Sequence, residues 1–284
     1  MIAYINGEFV DGPKASIALG DLGLLRGYGG FECLRTYHGK LFLFQEHLRR
    51  LQNSLEKLLI PLQLDADLLE KVTYELISLN NLEEAFVKII VTGGLSADHI
   101  TPSTPNVIVM AYPPYPFPKN YYETGIRAIT FSTYKRDFPN IKSLHYASAV
   151  IGMQKAREQG ANEALYQNPD GTILEGTLSN FFAFIGDHLV TPNQGILQGI
   201  TRQTVLKIAE KEFPIQYRSP HLEELEGQEA FVTSVSKKIL PINAIDNTPL
   251  RCVGKYTAHL MALFDKEIEK SVACSACCSA AKTV

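Results

Sequence analysis

A lysine stands between apolar residues in the stretch I-K-S-L-H-Y at positions 141–146. A lysine amine can bond covalently to an aldehyde carbon and can afterwards move protons as a general base and general acid. Such work requires a lysine that can lose its charge, which desolvation near a cationic partner favours. Ile141 and Leu144 are consistent with an apolar setting for Lys142. The competing interpretation is a solvated lysine at the start of a helix.

Two further segments could bind an anion. Gly199, Ile200 and Thr201 precede the helical stretch T-R-Q-T-V-L-K-I-A-E-K, so their amides would form an anion site, with the Thr201 hydroxyl as an additional donor. Upstream, E-H-L-R-R-L supplies a basic helix face on which Arg50 lies beside His47 at helical spacing. A guanidinium can bind an oxyanion through two parallel hydrogen bonds. Both segments therefore indicate an anionic ligand.

The composition limits the kind of protein that positions these residues. The chain has 284 residues, 45% hydrophobic and 20% charged, so it can bury a sizeable core in two domains or in one large α/β domain. A net charge of −3 gives no electrostatic reason to expect nucleic acid or an anionic membrane as a partner. The sequence contains no apolar run long enough to span a bilayer, and its first residues lack the pattern of a secretion signal. We expect a cytoplasmic enzyme.

The first part of the chain mixes strand and helix patterns. A-Y-I-N-G-E-F-V alternates like a hairpin with Asn6-Gly7 as its turn. From Phe44 the apolar residues follow helical spacing, and a second amphipathic helix begins at Asp65, a candidate N-cap. The stretches F-V-K-I-I-V-T-G-G and N-V-I-V-M-A-Y then predict two strands.

The stretch P-P-Y-P-F-P-K-N at 113–120 is a clear break in composition. Its prolines exclude a helix or a central strand and make a stiff extended connection. Beyond it, I-R-A-I-T-F predicts a strand, and we expect a helix from about residue 143 to Gly160, a natural C-terminal stop. Two hairpins, a helix at T-R-Q-T-V-L-K, a strand at E-A-F-V-T-S-V and a final helix near 254–269 complete the chain.

These patterns predict an α+β fold of two domains with mostly antiparallel strands, because hairpins replace regular β-α-β alternation. We place a small N-terminal domain at 1–112, a proline-rich linker at 113–120, a larger C-terminal domain at 121–270 and a flexible tail at 271–284. The tail carries a C-x-x-C-C cluster without a fourth ligand at usable spacing. We therefore assign the protein no metal.

The order of several motifs resembles the class IV aminotransferases, the fold type IV pyridoxal-phosphate enzymes. The matching blocks cover nearly the whole chain: F-E-C-L-R, E-H-L-R-R-L, I-K-S-L, E-G-T-L-S-N-F-F, G-I-T-R and V-T-S-V-S. The family includes branched-chain aminotransferases, D-amino acid aminotransferases and aminodeoxychorismate lyases. The resemblance implies a small N-terminal α/β domain, a larger C-terminal domain rich in antiparallel strands and a pyridoxal 5′-phosphate cofactor. It also implies a homodimer with loops crossing between subunits.

The resemblance further implies roles for residues around the cofactor. Lys142 would be the catalytic lysine that binds the cofactor aldehyde, and Glu175 the carboxylate that keeps the pyridine nitrogen protonated. Arg50, rather than Arg49, would face the phosphate, because it precedes the leucine of the H-x-x-R-L pattern. The other implied cofactor contacts are Ile200, Thr201, Ser236, the backbone at Val235, where relatives often have threonine, and Asn180, which would support the ring indirectly.

Tyr146 falls close to a family tyrosine that bonds the phenolic oxygen of the cofactor in branched-chain enzymes. Its spacing from the lysine is one residue shorter here, so simple helix packing is the alternative. His47 and His145 are expected to support the site rather than to take part in catalysis.

The residues that would hold the substrate carboxylate depart from the family pattern. The D-amino acid enzymes use an arginine and a histidine after a T-R-G strand end, whereas this chain reads T-G-G-L-S-A-D-H-I-T-P and retains His99. Arg26, in G-L-L-R-G-Y-G-G, and Arg35, in F-E-C-L-R-T-Y, are the candidate replacements. A surface ion pair is the competing interpretation for each arginine. Phe31 occupies the position of the usual substrate tyrosine.

The resemblance implies an aminotransferase that moves an amino group between an amino acid, of D-amino acid or branched-chain type, and a 2-oxo acid. Aminodeoxychorismate lyase, which uses the same lysine and cofactor to release pyruvate and 4-aminobenzoate, is the alternative within the family. A catalytically silent protein that keeps the fold as a binding module is the alternative from another class. The joint presence of Lys142, Glu175, Arg50 and Thr201 argues against a silent protein.

Overall fold

The computed structural model describes residues 1–115 and 117–280, with side chains through residue 273. The α-helices of this part of the chain are α1 (Leu22–Arg26), α2 (Phe44–Lys57), α3 (Ala66–Leu79), α4 (Tyr121–Thr124), α5 (Ala147–Glu158), α6 (Ile200–Ala209) and α7 (Lys255–Ala280). Short 3₁₀ helices lie at Gly12–Lys14 and Leu222–Leu225. Among the described residues, no helix combines the length and the apolar character needed to cross a membrane.

The strands fall into two groups along the chain. The first group contains β1 (Ile2–Ile5), β2 (Glu8–Asp11), β3 (Gly29–Tyr37), β4 (Lys40–Leu41), β5 (Phe86–Thr92) and β6 (Val107–Tyr112). The second group contains β7 (Ile126–Phe131), β8 (Glu163–Gln167), β9 (Ile173–Gly176), β10 (Ser179–Ile185), β11 (His188–Thr191), β12 (Ile215–Tyr217), β13 (Glu229–Ser234), β14 (Lys238–Ile245) and β15 (Thr248–Pro249). The predicted α+β class is confirmed.

The chain forms two compact units. The first contains Met1–Tyr115, Ile141–His145 and the described residues of Ile268–Val284; the second contains the described residues of Pro116–Asn140 together with Tyr146–Glu267. The sequence-based domain limits stay a prediction, and Pro116 of the expected linker lies outside the described residues. Residues 281–284 of the expected tail, and the side chains of its cysteines, also lie outside them.

The first unit is built on an antiparallel sheet with strand order β2-β1-β6-β5-β3-β4 in the described part of the chain. The predicted Asn6-Gly7 hairpin is confirmed, because both residues have positive φ, as the tight turn requires. The Asp65 carboxylate caps α3 by accepting a hydrogen bond from Leu68 N at 2.9 Å. One face of the sheet, with Leu34 and Val87, belongs to the same core as the apolar faces of α2 and α3.

The second unit is built on a sheet that closes on itself. Its strands run β12-β11-β10-β13-β14-β7-β8-β9, and β9 also pairs with β10. The described pairs are antiparallel except β7–β8, β7–β14 and β11–β12. Because side chains alternate along a strand, Phe181 and Ala183 of β10 join one apolar core, whereas Phe182 of β10 stacks on Phe231 of β13 with ring centroids 5.0 Å apart.

The segment 141–145 is extended, so the predicted helix start near residue 143 is wrong. The Phe31 N–H donates to Lys142 O at 2.9 Å, and the Leu144 N–H donates to Gly29 O at 2.9 Å. These hydrogen bonds place the segment along the edge of β3, and the helix begins only at Ala147. The reason is tertiary, because backbone donors and acceptors of a distant strand hold the segment extended. Gly160 follows α5 with φ +67°, as expected of a helix stop.

Candidate active site

Lys142 lies on the extended segment beside β3, where its backbone carbonyl and its backbone N–H each form a hydrogen bond. Its carbonyl accepts a hydrogen bond from Phe31 N, and its N–H donates to Ser54 Oγ of α2 at 3.3 Å. Ser54 Oγ in turn donates to Arg50 O, one turn earlier in the same helix, at 2.9 Å. The half-buried lysine side chain places Nζ 4.5 Å from the centre of the Phe31 ring. The backbone is thus fixed, while the amine rests against an aromatic face.

Arg50 and His47 of α2 share one buried carboxylate, Glu32 of β3. Arg50 Nε and Nη2 donate to the two oxygens of Glu32 at 2.7 Å each, and His47 Nδ1 lies 2.7 Å from Glu32 Oε2. Burial alone would raise the pKa of Glu32, but Arg50 and His47 outweigh burial and lower the pKa to about 2. Burial also lowers the pKa of His47, which favours its neutral form. The expectation that His47 supports the site fits this contact.

The sheet face opposite the core carries a second lysine, Lys88 of β5. Phe31 pairs with Ile90, and Cys33 pairs with Lys88, so the four side chains share one face of the sheet. Lys88 Nζ lies 5.0 Å from the centre of the same Phe31 ring that contacts Lys142. This face is therefore cationic beside Phe31, in a position that sequence patterns did not single out.

The three basic residues predicted to hold the substrate have different surroundings within the first unit. The Arg35 guanidinium packs over Tyr37, 4.4 Å from the ring centre, and its Nε donates to Thr36 O at 3.3 Å. Arg26 ends the short helix α1 and is exposed. His99 is exposed in the loop after β5, with φ +62°.

Glu175 is the centre of a buried hydrogen-bond network in the second unit. Arg136 Nη1 donates to Glu175 Oε1 at 2.8 Å, while Asn180 Nδ2 and Leu197 N each donate to Oε2 at 3.0 Å. Arg136 also lies 5.8 Å from the ring centre of Tyr146, which directly precedes α5. The Glu175 carboxylate is thus buried with these three hydrogen-bond donors, one of which is a guanidinium.

The start of α6 lies next to this network in the same unit. Asn180 Nδ2 donates to Leu197 O at 2.8 Å, which ties β10 to the loop before the helix. Gly199 is the N-cap residue, and among the described residues no side chain caps the helix there. A Cβ on Gly199 would lie 2.1 Å from Asn180 Oδ1, so only glycine fits. The amides at Ile200 and Thr201 therefore begin a helix whose N-terminus suits an anion.

The turn between β13 and β14 carries the other predicted phosphate contacts. Ser234 Oγ and Ser236 Oγ lie 3.1 Å apart, and the Lys237 N–H donates to Ser234 O and to Ser234 Oγ, at 3.2 Å in each case. Val235 and Ser236 are half-buried in this turn.

Sequence patterns missed several charged residues of these networks. Glu32 gave one signal that could have been used: it alternates with Gly30 and Leu34 on the buried face of β3, where a carboxylate needs a partner. Arg136 lies in a loop without periodic pattern and gave no signal.

The family model described as amino-transferase class IV matches residues 29–245. The chain belongs to the class IV aminotransferases. It is therefore a pyridoxal 5′-phosphate-dependent transferase that exchanges an amino group between an amino acid and a 2-oxo acid. The matched residues include every block that carries the resemblance.

Relatives cover almost the full length of this aminotransferase. It is 34% identical over 277 residues to a provisionally named branched-chain-amino-acid aminotransferase of Methanocaldococcus jannaschii, covering 93% of this chain and 95% of the relative. It is 31% identical to D-alanine aminotransferase of Staphylococcus aureus, covering 94% and 97%. The crystal structure of the Escherichia coli branched-chain amino acid aminotransferase superposes with a TM-score of 0.86 at 25% identity, covering 93% of both chains. The two-domain fold type IV architecture is thereby confirmed.

Proposed function

We propose that Lys142 is the catalytic lysine of this aminotransferase and that the substrate is a D-amino acid or a branched-chain amino acid. The observation that carries the first assignment is the attachment of the Lys142 backbone to β3 and α2. Hydrogen bonds from Phe31 N and to Ser54 Oγ fix the Cα, while the amine lies on the Phe31 ring. A fixed Cα with a mobile four-carbon side chain suits a group that must move protons between two atoms.

The second unit contains a buried carboxylate that suits a cationic ring nitrogen. Glu175 is 2% exposed and is held by Arg136, Asn180 and Leu197 N. An ionised carboxylate in this environment favours a protonated pyridine nitrogen. We assign Glu175 to the nitrogen, with Asn180 as its support. Tyr146 keeps both of its interpretations, as a contact to the phenolic oxygen or as packing at the start of α5.

Each unit contains residues that we assign to the phosphate. In the first unit, Arg50 is oriented by Glu32, and its guanidinium is the cation that we assign to the phosphate. Ile200 and Thr201 contribute the first amides of α6, and Ser236 contributes a hydroxyl beside the backbone at Val235. These assignments are the ones that the resemblance implied.

Pyridoxal 5′-phosphate, when bound, supplies an aldehyde that accepts the amino group and a ring that withdraws electrons from the reacting carbon. The protein residues move the protons. Lys142 Nζ takes the proton from the substrate Cα as a base and later delivers a proton as an acid. Glu175 keeps the proton on the ring nitrogen, and Phe31 limits the positions that the lysine amine can reach.

We propose Lys88 as the cation that receives the substrate carboxylate. The Lys88 ammonium group lies against the same Phe31 ring as the Lys142 amine. The Arg35 guanidinium instead packs on Tyr37 and Phe86. An ammonium group beside the proposed reacting lysine can bind a carboxylate. Arg26, Arg35 and His99 stay the other predicted substrate contacts.

We propose further that the enzyme is a homodimer. Large apolar side chains are exposed near Arg26 and His99 in the first unit: Leu19 (83%), Leu24 (64%), Leu95 (56%) and Ile100 (69%). A bridge between Asp21 and Leu95 joins their two loops. A second copy of the chain would cover these side chains, as expected of an obligate interface.

Light scattering should give twice the chain mass, and Leu24→Asp should shift the measured mass towards that of the monomer. A wild-type protein that is active as a monomer would contradict the proposal. The cytoplasmic location stays a prediction.

The test of substrate class is a set of single-substrate titrations. The purified protein with pyridoxal 5′-phosphate is mixed separately with D-alanine, D-glutamate, L-leucine, L-glutamate and aminodeoxychorismate, and its absorbance is recorded. We expect one amino acid to convert the bound cofactor to its amine form and a 2-oxo acid to reverse the change. Pyruvate release from aminodeoxychorismate without such conversion would establish the lyase instead. A protein that binds the cofactor but converts none of these compounds would support the silent alternative.

A further inference from the structure

A buried ion pair in the second unit has no part in the chemistry described above. Glu163 of β8 is fully buried and accepts hydrogen bonds from Thr177 Oγ1 at 2.6 Å and from Ser179 Oγ at 2.8 Å. Its Oε2 also accepts a hydrogen bond from Nζ of Lys237, which is 4% exposed. Burial alone would raise the pKa of Glu163, but Lys237 outweighs it and the pKa is lowered. The lowered pKa favours the ionised form of Glu163 beside Lys237.

The Glu163 end of the pair supports the turn that carries the proposed nitrogen contact. Thr177 lies in the turn between β9 and β10, and Ser179 is the first residue of β10. The next pair across these strands is Glu175 opposite Asn180. Adjacent pairs point to opposite faces, so Glu163 holds the back of the hairpin whose front presents Glu175. Gly176 is needed here, because an added Cβ would lie 2.2 Å from Ser179 Oγ.

The Lys237 end of the pair supports the turn that carries the proposed phosphate contact. Lys237 closes the turn from β13 to β14 by donating its N–H to Ser234 O, and its carbonyl accepts a hydrogen bond from Tyr122 OH at 3.0 Å. Ser236 precedes it directly, with its Oγ 3.1 Å from Ser234 Oγ. The side chain of Lys237 thus connects this turn to the Glu175 hairpin through Glu163.

A buried ion pair is a poor means of adding stability, because desolvation of both charges opposes their attraction. It is a good means of fixing a distance, because either charge without the other is strongly unfavourable in the interior. Two turns that must hold opposite ends of one ligand need such a fixed distance.

We propose that Glu163 and Lys237 are positioning residues that hold the Glu175 hairpin and the Ser236 turn at the spacing required by a phosphorylated pyridine. The inference rests on the proposed roles of Glu175 and Ser236. If the inference is right, the Glu163–Lys237 pair is needed for a ligand that binds through its ring and its phosphate at the same time. Loss of the pair should therefore weaken pyridoxal 5′-phosphate more than pyridoxal, which lacks the phosphate.

The experiment measures Kd of the full-length protein for both compounds by absorbance titration. The variants are Lys237→Met, Glu163→Gln and the double variant, which removes both charges and leaves no unpaired ion in the core. Lys237→Arg tests rescue by a residue that keeps the charge. Lys238→Met is the matched control, because Lys238 is the next residue and its Nζ contacts the exposed Asp265 at 2.8 Å.

We expect the ratio of the pyridoxal Kd to the pyridoxal-phosphate Kd to fall at least about tenfold in the folded double variant. The absorption band of the bound cofactor should also shift, because Glu175 is displaced from the ring. Lys238→Met should keep both values, and Lys237→Arg should restore most of the ratio. A purely structural role would lower the melting temperature and leave the ratio unchanged.

A folded double variant whose ratio stays within about twofold of wild type would overturn this inference alone. If wild type and Lys238→Met bind both compounds equally well, the proposed phosphate contacts fail and the inference fails with them. If a single variant does not fold, the double variant and Lys237→Arg decide the question, because neither leaves an uncompensated charge in the core.

Discussion

Arg50 of α2 binds Glu32 of β3 through two hydrogen bonds of 2.7 Å, one from Nε and one from Nη2. The guanidinium plane is therefore set by a strand residue that directly follows Phe31. Because Phe31 N also bonds to Lys142 O, the proposed phosphate-binding arginine and the proposed catalytic lysine are oriented by neighbouring residues of one strand. His47 adds a contact to the same carboxylate at 2.7 Å.

The stability of the protein should fall in acid in part because of Glu32. Its pKa is about 2 in the folded protein, below the ordinary value of 4.5. Since the folded pKa is the lower one, the stabilisation is complete above pH 4.5 and is lost as the pH falls towards 2. The loss is roughly 3 kcal/mol. Urea unfolding at several pH values measures the free energy of unfolding. Between pH 4.5 and pH 2 this free energy should fall less steeply with decreasing pH for Glu32→Gln than for wild type.

A matched variant separates His47 from Glu32. Burial lowers the pKa of His47 below its ordinary value of 6.5, so its contribution is present above that pH and is lost as the pH falls below it. In His47→Gln, the free energy of unfolding should therefore depend less on pH just below pH 6.5. Glu32→Gln should affect this pH range only through the lost contact with His47. Equal pH profiles of wild type and Glu32→Gln below pH 4.5 would contradict the assignment to Glu32.

Replacement of Lys142 by alanine should abolish transamination and covalent attachment of the cofactor. The expected loss of kcat is more than about a thousandfold, because proton transfer and covalent attachment both depend on one amine. Turnover is measured with the responsive amino acid, and attachment by mass spectrometry after borohydride reduction. Lys155→Ala is the control, because Lys155 lies on α5 with its Nζ 3.5 Å from the Thr133 hydroxyl. Normal turnover of Lys142→Ala would eliminate the proposed role.

Lys88→Met should raise the KM for the amino acid and for the 2-oxo acid by at least about tenfold, because a charge-assisted contact to the carboxylate is lost. The decrease in kcat should be smaller. Steady-state kinetics with both substrates measure the two effects, and Lys71→Met on the exposed side of α3 is the control. A KM equal to that of wild type would assign the carboxylate contact to Arg26, Arg35 or His99 instead.

Arg136→Met should destabilise the protein by about 3–5 kcal/mol, because the buried Glu175 carboxylate would lose its guanidinium partner. Adding Glu175→Gln to the same chain should restore most of this stability and leave cofactor affinity low. Thermal unfolding and cofactor titration of the single and the double variant test both parts. Arg218→Met, which removes an exposed pair with Glu224, should change stability by at most about 1 kcal/mol. Failure of the second substitution to restore stability would exclude the proposed pairing.

Local chemistry was sufficient for much of the secondary structure. The Asn6-Gly7 turn, the Asp65 cap and the Gly160 stop each depend on the backbone preferences of one or two residues, so the sequence predicted them correctly. The order of motifs also sufficed for the family, since each block matches one part of the class IV pattern.

Long-range pairing decided the rest. The Lys142 segment is extended because β3 supplies its hydrogen bonds, although the residues that follow form a helix. Arg50 and Glu32, and likewise Lys237 and Glu163, are brought together by elements that are distant in the chain. A charged residue carries no local sign of the partner that it will meet, because burial and pairing arise only when the sheets form. The sequence alone therefore determined the family and most of the elements, whereas tertiary packing determined the course of the Lys142 segment and which charges meet.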